Sequence, residues 1–162
     1  MSVLPCQIQY HLVYSVIEEG YTTWPFATAG LIFVILGALA LRFSKRRAAA
    51  WFIFLFAVVW CIGAFIGAYV EYARLRNALR DGTAVLVEGR VVNFSPEPAV
   101  GHAPETFDVA GTHFAYQGVG GVSAAFNQSK PKGGPIRDGV QVRIWHVQGK
   151  IARLELGDRD CQ

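Results

Sequence analysis

Two long apolar runs dominate the first half of the chain. Residues 24–43 carry one charged residue, Arg42 near their end, and residues 48–70 carry none. A helix of about 20 apolar residues crosses a hydrocarbon core of about 30 Å. We therefore predict two transmembrane helices within residues 21–70, joined by a basic loop at 44–47.

The N-terminal segment, residues 1–20, fits two patterns. The spacing of Ile8, Leu12 and Val16 places them on one face of an amphipathic helix that can lie on a membrane surface. The alternation of Ile8, Tyr10 and Leu12 fits a β-strand equally well. The pattern therefore leaves a helix and a strand as alternatives.

The helical spacing of the second apolar run continues into charged sequence. Residues 71–82 keep this spacing, and Gly82 is a natural left-handed stop for a helix. A helix over residues 48–81 is about 50 Å long, which exceeds the thickness of the hydrocarbon core. We predict that residues 71–82 form a helical stalk that sets the following domain off the membrane surface.

Residues 83–162 change to the period of two that is typical of half-buried strands. No helical pattern interrupts them, and a five-stranded barrel of the OB or SH3-like kind closes its edges at this size. The predicted fold is therefore an α+β membrane protein, a two-helix transmembrane hairpin followed by a small all-β barrel. The predicted strands are residues 85–94, 106–109, 112–116, 140–146 and 150–156. The predicted core is Val87, Val91, Phe107, Val109, Phe114, Tyr116, Val142, Ile144, Leu154 and Leu156.

The distribution of basic residues predicts which side of the membrane each segment occupies. Four basic residues lie at the interhelical loop, whereas residues 1–20 contain none, and positive loops stay in the cytoplasm. The β-domain is then expected in the periplasm of a bacterial inner membrane, although three arginines after the second run weigh against this. The seven residues are Arg42, Lys45, Arg46, Arg47, Arg74, Arg76 and Arg80. The net charge of +3 does not indicate nucleic acid, because no basic stripe is interleaved with aromatic residues.

Small residues and cysteines suggest further contacts. Gly63 and Gly67 form a GxxxG and Gly30 and Gly37 share one side of the first run, so packing within the hairpin and self-association through Gly63 and Gly67 are alternatives. Of the three cysteines, Cys61 lies in the second apolar run. Cys6 and Cys161 would both face an oxidising compartment, so a disulfide between them and two unpaired thiols are alternatives.

Two loops contain candidate chemistry. His102, Glu105 and His113 are residue types that bind metals or transfer protons, the alternative being loop capping. Residues 130–138 can cradle an anion with glycine amides and basic side chains, the alternative being a tight entry into the next strand. The residues that would bind the anion are Lys130, Lys132, Gly133, Gly134 and Arg137. Phe126 and Trp145 are predicted to be exposed aromatic residues on a ligand-binding rim.

The order of short motifs in residues 85–156 is distinctive. It runs Gly101-His102, Glu105-Thr106-Phe107, Gly133-Gly134-Pro135-Ile136-Arg137 and Val142-Arg143-Ile144. This order resembles an uncharacterised group of small bacterial membrane-associated proteins with "GH..E.F" and "GGPIR.G..VRI" signatures. The resemblance implies a bacterial protein and carries no activity.

These patterns favour a membrane-anchored module without catalytic activity. No nucleophile, base and orienting group stand in a recognisable order, and no cofactor is predicted. We expect the β-domain to dock another membrane or periplasmic protein. The alternative is a ligand-, anion- or metal-sensing domain, or a rudimentary enzyme, that uses the loops at 101–113 and 130–138.

Overall fold

A computed structural model describes residues 7–22, 24–98, 103–118 and 123–160. The elements are β1 (Gln7–Ser15), α1 (Val16–Glu19), α2 (Trp24–Phe43), α3 (Arg47–Arg80), β2 (Val85–Ser95), β3 (Glu105–Val109), β4 (Thr112–Tyr116), β5 (Gln141–Val147) and β6 (Lys150–Asp160). A short 3-10 helix, Lys130–Lys132, lies between β4 and β5. The fold is therefore α+β, as predicted.

The six strands form one antiparallel sheet in the order β1-β6-β5-β2-β3-β4. In the described part of the chain β1 and β4 are its two open edges, so the predicted closure into a barrel is not found. The sheet bends at Asn93, whose φ of 55° accompanies a register shift between Val92 and Ser95. Such irregularities increase the local twist and curve the sheet around its core.

Gln7–Ser15 of the N-terminal segment forms a strand, which decides for these residues between the two alternatives that the sequence left open. β1 pairs with β6 from Gln7 opposite Asp160 to Ser15 opposite Arg153. Ser15 then ends the strand and caps α1, because its Oγ accepts a hydrogen bond from the amide of Ile17 at 3.4 Å. The sheet is thus built from chain on both sides of α2 and α3, and it has six strands rather than the predicted five.

One described helix, α3, is long and apolar enough to span a membrane. The described apolar part of α2, Gly30–Phe43, is shorter.

The two helices lie in close contact at two glycines of α2. A Cβ atom on Gly30 would lie 3.0 Å from Cys61 Sγ, and one on Gly37 would lie 3.0 Å from Phe54 Cα. By contrast, no described atom lies within 4 Å of a Cβ built on Gly63 or Gly67.

The C-terminal part of α3 packs on the sheet. Leu75 is 1% exposed and lies in a cluster with Val16 of α1 and Ala152 of β6. α3 continues to Arg80, so residues 71–80 are helical. Leu75 packs this segment on the sheet, and its role as a stalk at a membrane surface stays a prediction.

The main core matches the prediction closely. Seven of the ten predicted core residues are buried, and Val87, Tyr116 and Leu156 pack against them while partly buried. Two hairpin turns bring the strands together, Ala110-Gly111 and Gln148-Gly149, each with positive φ at both residues. This is the conformation that matches the twist of two-residue hairpins. The core also contains Phe126, Ile136 and Ile151.

Candidate functional site

Glu105 is the first residue of β3 and its side chain is fully buried. Its Oε1 accepts a hydrogen bond from the hydroxyl of Tyr116 on β4. Its Oε2 accepts from the backbone amide of Lys130 at 2.8 Å and from that of Glu97 at 3.5 Å. Buried carboxylates are costly unless they are hydrogen-bonded in this way. Glu105 therefore links the loops that contain Lys130 and Glu97 to the β3–β4 hairpin.

A second buried carboxylate lies beside the first. Glu97 is 3% exposed, and its Oε2 accepts from the amide of Gly118 at 3.0 Å. The carbonyl of Gly118 in turn accepts from the Nζ atom of Lys132. Burial, the hydrogen bond to Glu105 and the charges of both carboxylates raise the pKa of Tyr116, which stays a neutral donor.

Three backbone amides of the loop at 129–134 donate hydrogen bonds within the loop. Those of Lys132 and Gly134 both donate to the carbonyl of Ser129 at 2.9 Å, and that of Gly133 donates to the carbonyl of Lys130 at 3.0 Å. Gly133 has a φ of 81°, and a Cβ on Gly134 would lie 2.1 Å from the carbonyl oxygen of Gln128. The predicted anion cradle would need these amides as donors. Their contacts instead favour the alternative of a tight entry into the next strand.

The remaining candidates of this loop lie apart from its interior. Lys130 and Arg137 are exposed, and the Nζ atom of Lys130 is 5.9 Å from the ring centroid of Phe94. The loop therefore carries basic side chains on its outside, while the backbone amides of Lys132, Gly133 and Gly134 form hydrogen bonds within the loop.

The two predicted rim aromatics differ from each other. Phe126 is not exposed: it is 2% accessible, with its ring 5.5 Å from that of Tyr14 and 5.3 Å from that of Tyr116. Phe126 lies in a loop without hydrophobic periodicity, so the sequence does not indicate that its side chain is buried. Trp145 is half-buried, and the guanidinium of Arg153 lies 4.9 Å above its ring.

A cavity of about 360 Å³ opens beside Tyr116 and Phe126. Asn127, Lys150 and Ser123 also line it. The hydroxyl of Tyr116 is engaged by Glu105, and Ser123 and Lys150 both contact Glu71. The cavity is also lined by the amide side chains of Gln117 and Asn127.

The histidine candidates do not converge on a metal site in the described residues. His113 is exposed, and its Nδ1 lies 2.6 Å from Asp108 Oδ1. Asn93 donates to Asp108 Oδ2 at 2.8 Å, and these two hydrogen bonds lower the pKa of Asp108. His102 lies outside the described residues, and no group of three or more metal-ligating side chains was found among those described.

The sheet carries an ionic row on its outer face, which we define as the strand face directed away from the main core. Arg143 Nε lies 2.9 Å from Glu88 Oε2, and Arg143 Nη1 lies 3.7 Å from Glu155 Oε2. The hydroxyl of Tyr10 donates to Glu88 at 2.7 Å, and the Arg143 guanidinium lies 4.0 Å above its ring. These contacts lower the pKa of Glu88. No local pattern in the sequence indicates this row, because it joins strands that lie far apart in the chain.

The outer face also exposes apolar side chains. Leu86 is 49% exposed on β2, and Ile8 and Leu12 are exposed on β1. They share this face because Leu86 lies opposite Trp145 and Leu12 lies opposite Glu155. The outer face thus combines fixed charges with accessible apolar area.

The junction between α3 and the sheet is polar and begins directly where the apolar run ends. Glu71 follows Val70, and its Oε1 lies 2.7 Å from Lys150 Nζ at the start of β6. The hydroxyl of Ser123 donates to the same oxygen at 2.6 Å. The ring of Tyr21 lies about 6 Å from those of Tyr69 and Tyr72 at this level.

The possible disulfide between Cys6 and Cys161 lies outside the described residues. No family model, no curated protein and no solved structure matches this chain.

Proposed function

We propose that this chain is a two-pass protein of a bacterial inner membrane. Its six-stranded domain acts in the periplasm as a non-catalytic docking module for another membrane or periplasmic protein. The observation that carries the proposal is the pairing of β1 with β6, which lie on either side of α2 and α3 in the sequence.

This pairing limits the membrane topology. Two strands that share hydrogen bonds lie on the same side of a bilayer, so the chain between them crosses it an even number of times or not at all. If α3 crosses once, a second crossing must lie between Ser15 and Arg47. The 20-residue helix α2 lies there, is about 30 Å long and carries its single charge near its end. The pairing therefore supports a transmembrane hairpin of α2 and α3.

The junction supports a domain that rests directly on the membrane surface. Glu71 contacts Lys150 and Ser123 one residue beyond the apolar run, so little chain separates lipid from sheet. Tyr21, Tyr69 and Tyr72 cluster at that level, and tyrosine rings favour the headgroup region. A docking module held in this way presents its outer face at a fixed height.

The contacts of the two buried glutamates support a structural role for these side chains over a chemical one. Glu105 and Glu97 accept hydrogen bonds that hold loops in place. The outer face is the part of the described domain that offers both apolar area and ordered charge to a partner. Exposed apolar side chains around fixed charges are typical of protein-binding surfaces.

Site-specific photo-crosslinking in native membranes tests the proposal. A photoreactive residue at Leu86 is expected to give one discrete protein adduct, whereas the same residue at Gln128, which is exposed in the loop before the 3-10 helix, is expected to give none. Gln128 is the matched control because it lies in the same domain, is exposed to solvent and is not part of a strand of the outer face. Equal labelling at both positions, or no adduct at Leu86, would contradict docking through the outer face.

A further inference from the structure

A cavity of about 230 Å³ lies between α3 and the turn that joins β5 to β6. Gly67 and Val70, at the end of the apolar run, line one part of it. Arg74 of α3 lines it beyond that end, together with Gln148 and Lys150 of the β5–β6 hairpin. Along α3 the lining therefore changes from apolar to basic where the apolar run ends. A phospholipid shows the same change, from acyl chains to a phosphate.

The two basic groups of the cavity have donors to offer an anion. Lys150 Nζ lies 2.7 Å from Glu71 Oε1, which engages one of the three donors of the ammonium group. Arg74 is exposed, and none of the ion pairs between described residues includes it. A guanidinium can bind a phosphate through two parallel hydrogen bonds. Two cations and one carboxylate leave one net positive charge, which matches the single negative charge of a phosphodiester.

The face of α3 that lines this cavity is open in the direction of the apolar run. Gly63, Gly67 and Arg74 are four and seven residues apart, a spacing that places them on one face of the helix. A second cavity, of about 380 Å³, lies beside Gly63 and has an apolar lining that includes Phe56 and Trp60. An acyl chain whose phosphate lies at Arg74 therefore has room to follow this face.

We propose that the cavity between α3 and the β5–β6 turn binds the phosphate of an anionic phospholipid, with one acyl chain along α3. Basic pockets at membrane surfaces recognise lipid headgroups in this way. A second copy of the chain fits this face less well, because two copies in one orientation bring Arg74 to the same depth and like charges repel. The inference rests on the membrane-spanning role of α3 given under Proposed function, and it is independent of the docking partner.

Titration of the full chain in detergent with lipids, read by native mass spectrometry, tests the inference. We expect one phosphatidylglycerol to be retained per chain and phosphatidylcholine, whose headgroup adds a cation, to bind more weakly. Arg74→Gln should weaken the binding of phosphatidylglycerol about five- to tenfold. Arg76→Gln is the matched control, because it removes the same charge from α3 only about 3 Å farther along the axis and outside the cavity. It should leave the affinity unchanged.

Gly67→Leu tests the apolar part of the cavity and leaves every charge in place. No described atom lies within 4 Å of a Cβ built on Gly67, so the variant should fold normally and lose the lipid because its side chain occupies the acyl position. Thermal unfolding without added lipid checks the fold. Unchanged lipid binding by a folded Gly67→Leu would contradict the acyl position.

Further outcomes overturn the lipid site. Equal weakening by Arg74→Gln and Arg76→Gln would show general attraction to headgroups. Displacement of the lipid by glycerophosphoglycerol, which is the headgroup without acyl chains, would show a site for a soluble phosphodiester. A dimer in detergent that Gly67→Leu dissociates would show a second copy on this face. Release of the chain from membranes by alkaline buffer without detergent would instead refute the membrane-spanning role of α3, and the lipid site falls with it.

Discussion

At the scale of single residues, Glu105 stabilises the fold by accepting hydrogen bonds, although its residue type suggests acid–base chemistry. The "E" of the signature pattern looks like a candidate acid, yet its two oxygens receive a hydroxyl and two amides from three separate segments. A buried charge with this many donors organises loops that have no periodic structure of their own. These partners lie 8, 11 and 25 residues from Glu105, and no local periodicity connects them with it.

Replacing Glu105 by alanine should leave the amide of Lys130 and the hydroxyl of Tyr116 buried without an acceptor. Each unsatisfied group costs about 1–3 kcal/mol. We expect a loss of about 3 kcal/mol, which lowers the melting temperature in detergent by roughly 5–10 °C. Glu18→Ala, at an exposed carboxylate, is the control and should stay within about 0.5 kcal/mol. Equal melting of both variants would argue against the anchoring role.

Gly133 and Gly134 provide a matched pair of substitutions. Gly133 needs a positive φ and has open space around it, so Gly133→Asn should be almost neutral because asparagine tolerates that conformation. Gly134→Ala would place a Cβ 2.1 Å from a backbone carbonyl oxygen and should cost roughly 1–3 kcal/mol or more. Thermal unfolding of the two variants decides this. If Gly133→Asn proves the more harmful, the close approach at Gly134 is not what the loop requires.

At the scale of elements, strong periodicity in the sequence predicted the long elements well. Short or irregular segments were predicted poorly. α3, the β3–β4 hairpin and most of the core followed from spacing alone. β1 satisfied the helical and the strand pattern at once, and only its pairing with β6 distinguishes them. Phe126 and the ionic row on the outer face depend on tertiary contacts, which leave no local pattern in the chain.

The contact between α3 and the sheet can be tested at Leu75. Leu75→Ala removes a side chain that is 1% exposed and should cost about 2–5 kcal/mol. It should also open trypsin cleavage at the neighbouring Arg74 and Arg76. Leu55→Ala on the same helix is the control, since Leu55 is 53% exposed and lipid can replace its contacts. Similar protease resistance in both variants would show that the helix end does not hold the domain.

At the scale of the whole molecule, one sheet links the chain before α2 to the chain after α3. This link makes the segment of α2 and α3 an insertion between the first and second strands of a single domain. It follows that the proposed two-pass topology and the pairing of β1 with β6 cannot be changed independently. A chain with one crossing would separate β1 from the other five strands and leave β6 as an exposed edge.

The proposed two-pass topology can be tested by labelling three single-cysteine variants in intact cells with a maleimide that does not cross membranes. Gln9→Cys lies on β1, Ser44→Cys lies between α2 and α3, and Ala115→Cys lies on β4. We predict that Gln9→Cys and Ala115→Cys are labelled from outside and that Ser44→Cys is labelled only after the membrane is opened. Labelling of Gln9→Cys and Ala115→Cys from opposite sides would contradict the shared sheet and the two-pass topology that rests on it.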